Sequence, residues 1–417
     1  MRVIVIGGGA SGLMAAYFAA YNAHEVLLIE KNEKLGKKIY ITGKGRCNVT
    51  NDCPPEDFLT HVVRGGKFLT GVIYAFPPQR LMALLEEHGL ALKVERGNRV
   101  FPLSDHASDV TKTIEGACRA LGVKIRFNET AEKVLAAEGA VRGVKTNLGE
   151  YECDIAIIAT GGVSYPATGS TGDGYRFAKE FGHSIVPCLP SLVGLNLKAN
   201  AGQQGISQRN VVLTARRNGK VISSEMGELL FTHYGVSGPL ILTLSAKINR
   251  LPIKEISLEI DLKPALDQSK LDARLLREFK ERKNENLKNV MRGLLPAGLV
   301  LPVLQAARIS ANKKANSVTR EERTSLVKTL KCYELIPGSW RGFSEAVVTS
   351  GGVDLKEIDP KTMESKMVRG LRFCGEVLDV DAFTGGFNLQ IAFATGFIAG
   401  NIKNRNYHST MSGIMKA

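Results

Sequence analysis

The sequence predicts an α/β protein whose first thirty residues form a β-α-β unit. Residues Arg2–Ile6 read RVIVI, a run of β-branched residues typical of a buried parallel strand. A helix is predicted over Ala10–Asn22, and a second strand, Glu25–Ile29, follows it. The apolar face of that helix is expected to comprise Leu13, Ala16, Tyr17 and Ala20. Two later apolar runs, Asp154–Thr160 and Leu371–Cys374, supply further strands.

Length and composition indicate a soluble protein with more than one domain. A chain of 417 residues suggests two or three domains, and 44% hydrophobic with 23% charged residues is ordinary for an α/β protein. No stretch reaches the roughly 18 uninterrupted apolar residues that a membrane span needs. The apolar N-terminal run is also shorter than the core of a signal peptide. We therefore expect a cytoplasmic protein with no membrane partner.

The cysteines and histidines predict no covalent framework and no metal site. There are seven cysteines, an odd number, and no C-x-x-C occurs, which argues against disulfide pairing and zinc binding. The histidines have no metal-like spacing. Asp173 follows glycines before a predicted helix, so we expect it to cap that helix. Five cysteines are expected to be structural: Cys53, Cys118, Cys153, Cys188 and Cys332.

Glycines between the first strand and the helix predict a nucleotide-binding loop. The segment Gly7–Gly12 reads GGGASG, which is a G-x-G-x-x-G pattern. Gly7 permits a tight turn, Gly9 lets the backbone approach a pyrophosphate, and Gly12 lets the helix pack closely on the strand. The N–H groups at the start of the helix favour the bound anion. Glu30 follows Gly12 by 18 residues, about where an acid binds ribose.

Three later segments favour FAD over NAD. The strand Asp154–Thr160 runs into Gly161-Gly162, an ATGG ending typical of glutathione-reductase-like FAD enzymes. Leu371–Cys374 is followed by Gly375-Glu376, and Thr384–Gln390 opens a helix. That helix N-terminus would stabilise negative charge on a reduced flavin, although a plain strand-loop-helix return is the alternative. The predicted fold class is α/β, with a glutathione-reductase-like FAD-binding Rossmann domain.

Several long motifs resemble one family of flavoproteins. They are Gly36–Asn51 (GKKIYITGKGRCNVTN), Gly161–His183, Phe231–Leu242, Ser350–Lys366 and Cys374–Gly396. Over essentially its whole length the chain resembles the BaiN/RdsA family of NAD(P)/FAD-dependent oxidoreductases, which includes aminoacetone oxidase-like and YhiN-type flavoproteins. Three residues depart mildly from the expected pattern: Lys44, Cys374 and Ala382.

The resemblance implies a domain organisation in three parts. The FAD-binding domain is split between residues 1–190 and 341–417. A β-rich inserted domain covers 191–263 and 332–340, and a helical lobe covers 264–331. The residue patterns agree, because short alternating runs such as RNVVLTARRNG give way after Pro264 to helical runs such as DARLLREFKERK.

The cofactors expected are FAD and, as a transient hydride donor, NAD(P)H. Only one G-x-G-x-x-G is present, so a nicotinamide must visit the flavin and leave. The residues expected to bind FAD are Gly7, Gly9, Ala10, Ser11, Gly12, Glu30, Lys31, Gly43, Gly45, Arg46, Cys47, Asn48, Thr160, Gly161, Gly162, Gly375, Glu376, Asp379, Gly385, Gly386, Asn388 and Leu389.

Reduction of a conjugated C=C also needs a proton from a general acid. Cys47 lies in the loop expected beside the flavin, and the cations of Lys44 and Arg46 predict a lowered pKa for its thiol. A buried packing role is the alternative. His233 is open to three roles: acid, phosphate ligand or turn residue. The full set of candidates is Cys47, His233, Tyr234 and Tyr165.

Three functions remain open at this point. The family resemblance implies either reduction of uridine in ribosomal RNA or reduction of an unsaturated small molecule, and a non-catalytic flavoprotein associated with RNA is the third. The segment Lys263–Lys331, called the basic lobe below, has sixteen lysines and arginines against seven acids, which is +9 of the chain's +14. This concentration favours ribosomal RNA as the partner, and a solvated charged face is the alternative.

Overall fold

The computed structural model describes residues 1–198 and 204–403, which form two compact units. The first unit comprises Met1–Pro190 and the chain from Ala346 onward, and the second comprises Ser191–Glu345. Each unit has its own hydrophobic core. Within the described residues, no helix is both long enough and apolar enough to cross a bilayer.

The N-terminal part, up to residue 191, contains twelve strands and seven α-helices. The strands are β1 (Arg2–Ile6), β2 (Glu25–Ile29), β3 (Thr50–Asn51), β4 (Val62–Arg64), β5 (Leu92–Glu95), β6 (Arg99–Pro102), β7 (Lys124–Arg126), β8 (Ala131–Ala137), β9 (Ala140–Thr146), β10 (Gly149–Glu152), β11 (Ile155–Ile158) and β12 (Ile185–Ser191). The helices are α1 (Ala10–Tyr21), α2 (Lys37–Ile41), α3 (Pro55–Thr60), α4 (Gly66–Ala75), α5 (Pro78–Glu87), α6 (Ala107–Ala120) and α7 (Asp173–Glu180).

The second unit contains one large sheet and five α-helices among its described residues. Its strands are β13 (Leu195–Leu197), β14 (Ser207–Arg217), β15 (Lys220–Phe231), β16 (Gly235–Ser237), β17 (Ile256–Asp261), β18 (Tyr333–Leu335) and β19 (Pro337–Trp340). Its helices are α8 (Pro239–Ile248), α9 (Gln268–Glu281), α10 (Leu287–Val290), α11 (Ala297–Ala306) and α12 (Arg320–Lys331). The chain then returns to the first unit through β20 (Val348–Val353), β21 (Leu371–Phe373), β22 (Asp381–Ala382) and α13 (Phe387–Gly400).

A five-stranded sheet with the order β21-β11-β1-β2-β7 is the scaffold of the first unit. All four strand pairs are parallel, and Val5 lies opposite both Ile157 and Leu28. The inner strands are buried on both faces, as expected when helices cover a parallel sheet. The predicted β-α-β unit and the two later strands are confirmed.

The helix α1 differs from its prediction in how much of it is buried. The sequence predicted a single apolar face, but every residue from Ala10 to Ala20 is buried. The reason is that α1 packs against β1, β2, α6 and α13. Its contact with α13 depends on small residues, since a Cβ added at Gly396 or Gly400 would collide with the α1 backbone at Ser11 or Ala15.

The sheet of the second unit has the order β18-β17-β14-β15-β16-β13-β19, and its strand pairs are antiparallel. The strands and helices that the sequence predicted in this region are present in the structure. The sheet and the helices share one core, in which Leu213 and Leu258 of the sheet belong to the same cluster as Leu271 and Leu326 of the helices. The basic lobe is therefore fixed to the sheet beneath it by apolar packing.

Candidate functional site

The loop between β1 and α1 has the geometry of a nucleotide-binding turn. Its first intrahelical bond runs from the Leu13 N–H to the Gly9 carbonyl, so the amides before it point beyond the helix end. A Cβ added at Gly12 would collide with the Gly7 carbonyl oxygen, whereas a Cβ at Gly9 meets nothing within 4 Å. Gly12 is therefore required for packing, and Gly9 borders open space in front of the free amides.

Glu30 is buried at the end of β2 and fixes this loop. Its Oε2 accepts the Gly8 N–H at 2.7 Å, and its Oε1 accepts the backbone and side-chain N–H groups of Asn32 at 2.8 and 2.6 Å. A carboxylate has about four acceptor positions, so one remains for a ribose hydroxyl. Lys31, beside it, donates to Asp173 Oδ2 at 2.6 Å.

That ion pair corrects the prediction for Asp173. The N-cap of α7 is Gly172, and no side chain caps it. Asp173 is instead the first helical residue, where its charge complements the helix dipole while it binds Lys31. A helix does begin at this point in the sequence, but its first residue is Asp173, one residue earlier than a capping role for Asp173 required.

The Gly36–Asn51 loop turns sharply and closes on the N-terminus of α13. Gly43 and Lys44 both adopt left-handed backbone conformations. Asn51 Nδ2 donates to the Gly385 carbonyl at 3.1 Å, and Thr50 Oγ1 donates to Gln390 Oε1 at 2.8 Å. The loop and the start of α13 therefore form one continuous wall, as the two predicted flavin-binding segments require.

Within this loop, the predicted lowering of the Cys47 pKa is wrong. The thiol is completely buried, and burial raises the pKa of Cys47 to about 12. The guanidinium of Arg46 is neutralised by Glu95 at 2.8 Å and Asp105 at 3.2 Å, and it lies 4.1 Å from the centre of the Phe101 ring. None of these properties favours Cys47 as a proton donor, and they fit its alternative role in packing.

We expect Cys47→Ala to leave both half-reactions within about twofold of the parent protein, because the thiol lies away from solvent. The free energy of unfolding should fall by about 1–2 kcal/mol, since a small buried side chain is removed. Stopped-flow reduction of the flavin by NAD(P)H and its reoxidation by substrate measure the half-reactions, and urea unfolding measures the stability. A fall of ~10²-fold or more in substrate reduction, with full flavin content, would restore the acid role.

The carboxylate of Glu376, one of the residues predicted to bind FAD, lies in a buried polar network. It accepts the Lys38 ammonium at 2.7 Å, the Ser164 hydroxyl at 2.6 Å and the Thr349 N–H at 2.7 Å. Burial by itself raises the pKa of Glu376, but Lys38 and these hydrogen bonds outweigh burial and hold the pKa below its ordinary value. Glu376 Oε2 also lies 3.9 Å from where a Gly161 Cβ would be.

Two other predicted residues have side chains that bind protein groups. Asp379 forms a two-point ion pair with Arg64, at 2.8 and 2.6 Å. Asn388 exchanges hydrogen bonds with the backbone of Ala382, at 2.9 and 2.8 Å, and donates to the Phe383 carbonyl. These contacts shape the turn before α13, and direct binding of FAD by Asp379, Asn388 or Leu389 stays a prediction.

Three candidates for proton transfer remain, and two of them, His233 and Tyr234, lie in the second unit between β15 and β16. His233 is exposed and meets the Tyr234 ring edge to face, with the ring centres 5.0 Å apart. The Arg341 guanidinium lies 4.4 Å from the centre of the Tyr234 ring and is itself paired with Glu345. Tyr165 lies in the first unit in a left-handed conformation just before a short 3-10 turn.

Sequence reasoning did not select Lys38, Ser164, Thr349 or Arg341. Lys38, Ser164 and Thr349 support a predicted residue, and Arg341 supports Tyr234. Their partners are far away in sequence, so no local spacing marks them. In the part of the chain that the structure describes, no three His, Cys, Asp or Glu side chains are grouped as metal ligands.

The first unit fits FAD by its own features. Open space lies in front of the free amides at Gly9, and Glu30 has an acceptor position to spare. Two further polar atoms, Asn48 Oδ1 and Thr160 Oγ1, are buried without a hydrogen-bond partner among the described residues. Buried polar atoms are normally satisfied, so these two are suitable for polar groups of a ligand. Both belong to the set expected to bind the cofactor.

Comparison with curated proteins yields relatives that match nearly the whole chain. The 3-dehydro-bile acid delta(4,6)-reductase of Clostridium scindens is 32% identical over 405 residues, covering 96% of this chain and 98% of the relative. The ribosomal RNA dihydrouridine synthase of Haemophilus influenzae is 32% identical over 402 residues, covering 94% and 96%. The Escherichia coli ribosomal RNA dihydrouridine synthase is 30% identical over 410 residues, again covering 94% and 96%.

Solved structures show the same fold at low identity. A flavocytochrome c3 fumarate reductase in its open conformation aligns with a TM-score of 0.51 and 18% identity, covering 96% of this chain and 77% of that one. The 3-ketosteroid-delta4-(5alpha)-dehydrogenase of Rhodococcus jostii RHA1 gives a TM-score of 0.51 and 14% identity, covering 95% and 96%. The predicted FAD-binding Rossmann fold and the prediction of an FAD-dependent oxidoreductase are confirmed. A family model matches residues 1–402, and the chain belongs to the HI0933-like protein Rossmann domain family.

Proposed function

We propose that this protein uses NAD(P)H to reduce uridine to dihydrouridine in ribosomal RNA. When bound, FAD supplies the hydride chemistry, and the protein supplies binding, orientation and a proton. Two of the curated relatives bear the name of this reaction. The observation that carries the proposal is the excess of uncompensated positive charge on the basic lobe.

Six of the sixteen basic side chains of the lobe are in ion pairs: Lys270, Arg274, Arg282, Lys313, Arg323 and Lys331. The other ten have no carboxylate partner among the described residues: Lys263, Arg277, Lys280, Lys283, Lys288, Arg292, Arg308, Lys314, Arg320 and Lys328. Five of the seven acids of the lobe are already used in these pairs. This surface attracts a polyanion, and a small neutral enone gains nothing from it.

The chemistry of uridine explains why binding far from the reacting atoms is useful. Its C5=C6 bond is conjugated with a carbonyl, so one carbon accepts a hydride and its neighbour accepts a proton, while NAD(P)H is oxidised. Taking the base out of its stack costs a few kcal/mol. Contacts between the basic lobe and phosphates offset that cost without touching the base.

We propose His233 and Tyr234 as the groups that supply the proton. His233 is exposed, and Tyr234 is held by Arg341 on its ring face. A Cβ added at Gly194 would lie 2.7 Å from the Tyr234 hydroxyl, so the backbone also confines the phenol. A confined hydroxyl next to an exposed imidazole is suited to proton delivery.

The proposal is tested by mass spectrometry of ribosomal RNA from cells that lack the gene. We expect one position that is dihydrouridine in the parent strain to be uridine in these cells. We expect the gene to restore dihydrouridine there when it is returned on a plasmid. Ribosomal RNA with unchanged dihydrouridine, in a strain with no second dihydrouridine synthase, would contradict the proposal.

Reduction of an unsaturated small molecule is the second candidate. It is favoured by the Clostridium scindens relative, which is as similar to this chain as the Haemophilus influenzae relative is. The two candidates share the FAD site and differ in what must bind beside it. Only the RNA reaction requires the ten uncompensated cations of the lobe.

A further inference from the structure

A hollow of about 330 Å³ opens along one side of α9 in the basic lobe. It is lined by Leu266, Lys270, Ala273, Arg274 and Arg277. The last four residues are three or four positions apart, or adjacent, and share one helix face. The opposite face of α9 is packed into the core through Leu271, Leu275 and Phe279.

The hollow has one small side chain among its lining residues. This residue is Ala273, whereas Lys270, Arg274 and Arg277 have long cationic side chains. Leu266 is the large apolar residue of the lining. The volume of the hollow lies at the lower end of the range for pockets that bind small ligands, about 300–1,000 Å³.

The charges around the hollow are incompletely neutralised. Lys270 is 3.5 Å from Asp267, a loose and exposed pair, and Arg277 has no carboxylate partner among the described residues. Arg274 binds Glu278 at 2.6 Å through one terminal nitrogen, but its Nε is buried without a hydrogen-bond partner. The three cations that line the hollow therefore have only two carboxylate partners among the described residues, Asp267 and Glu278.

A neighbouring lysine adds to the positive potential. Burial lowers the pKa of Lys263, and the nearby charge of Arg274 lowers it further. Like charges brought together in this way are stabilised by an anion placed between them. Arginine and lysine together match the oxygens of a phosphate, which accepts several charge-assisted hydrogen bonds at once.

We propose that the α9 hollow binds a backbone phosphate of the RNA substrate, with the attached sugar against Leu266 and Ala273. This inference rests on the proposed reaction with ribosomal RNA and names the place where the lobe holds its substrate. It also assigns different roles to the cations of the lobe, because those outside the hollow contribute only long-range attraction.

The first test compares two double variants that remove equal charge. Lys270→Gln/Arg277→Gln removes two of the three cations that line the hollow. Lys314→Gln/Arg320→Gln removes two exposed, unpaired cations elsewhere on the lobe. We expect the first to weaken binding of a uridine-containing ribosomal RNA fragment at least tenfold more than the second. Its slope of log affinity against log salt should also become shallower by about 0.7–0.9 for each phosphate that the protein no longer neutralises.

The second test fills the hollow without changing charge. Ala273→Leu places a larger side chain in the lining of the hollow, and leucine is a good helix former, so α9 should persist. We expect weaker RNA binding with normal FAD content and an unchanged KM for NADPH. A raised KM for NADPH would assign the hollow to the nicotinamide nucleotide and overturn the inference.

The outcomes separate this inference from the proposed function. Equal weakening by the two double variants, with no effect of Ala273→Leu, overturns the α9 hollow as a phosphate site while RNA binding stands. If no variant changes RNA affinity and dihydrouridine is normal in the deletion strain, the proposed reaction itself fails.

Discussion

Replacing Gly9 with valine is expected to weaken FAD binding by at least about 100-fold, or roughly 2.7 kcal/mol, while the protein stays folded. The backbone of Gly9 has φ −80° and ψ −170°, which a β-branched residue adopts without strain, and nothing of the protein lies within 4 Å of its added Cβ. The new side chain therefore occupies only the space where the pyrophosphate approaches the free amides of α1.

Gly12→Ala is the matched control, because its Cβ would collide with the Gly7 carbonyl. We expect this variant to lose flavin together with stability, as the helix is forced away from β1. Flavin absorbance of the purified proteins and urea unfolding of their apoproteins separate the two cases. A Gly9→Val protein that retains full flavin would contradict the placement of the pyrophosphate.

Glu376→Gln is expected to lower the free energy of unfolding by about 3 kcal/mol, because it leaves Lys38 largely buried without a counter-ion. The pKa of Glu376 is lowered in the folded protein, so its contribution is present above its unfolded pKa of about 4.3 and is lost as the pH falls through the lower folded value. Urea unfolding between pH 3 and pH 7 measures this dependence, which should be flatter below about pH 4 in the variant.

The exposed pair between Arg2 and Glu152 provides the control for this effect. Its side chains are 52% and 80% exposed, so water screens the pair and Glu152→Gln should cost far less stability than Glu376→Gln. A double variant of Lys38 and Glu376 should recover part of the stability, because it removes the unpaired ammonium as well. Equal costs for Glu152→Gln and Glu376→Gln would show that the buried network does not stabilise the first unit.

The sequence could predict the nucleotide fold because its signals are local. A β-branched strand, three glycines and a helix follow one another within Arg2–Tyr21, and the close contact between Gly7 and Gly12 lies inside this segment. The β14–β15 hairpin has an equally local signal, although the turn itself was not predicted. Asn218 and Gly219 link its strands, and both have positive φ, as a two-residue hairpin turn requires.

Side-chain roles in the site were harder to predict because they depend on contacts that are distant in sequence. Lys31, Arg46 and Asp379 looked available to a cofactor, yet each is paired with a residue far along the chain: Asp173, Glu95 and Arg64. Cys47 showed the same difficulty. Its cationic neighbours in sequence suggested a reactive thiol, whereas burial, which no local pattern revealed, decides its pKa.

Reoxidation of the NAD(P)H-reduced protein, followed anaerobically by flavin absorbance, tests the proposed reaction most directly. Ribosomal RNA from the deletion strain is the substrate, and wild-type ribosomal RNA and a steroid enone are the comparisons. We predict that RNA from the deletion strain reoxidises the flavin and gains two hydrogens at one uridine, while the other two leave the flavin reduced. Rapid reoxidation by the enone, with RNA from the deletion strain inert, would contradict the account and establish a small-molecule reductase.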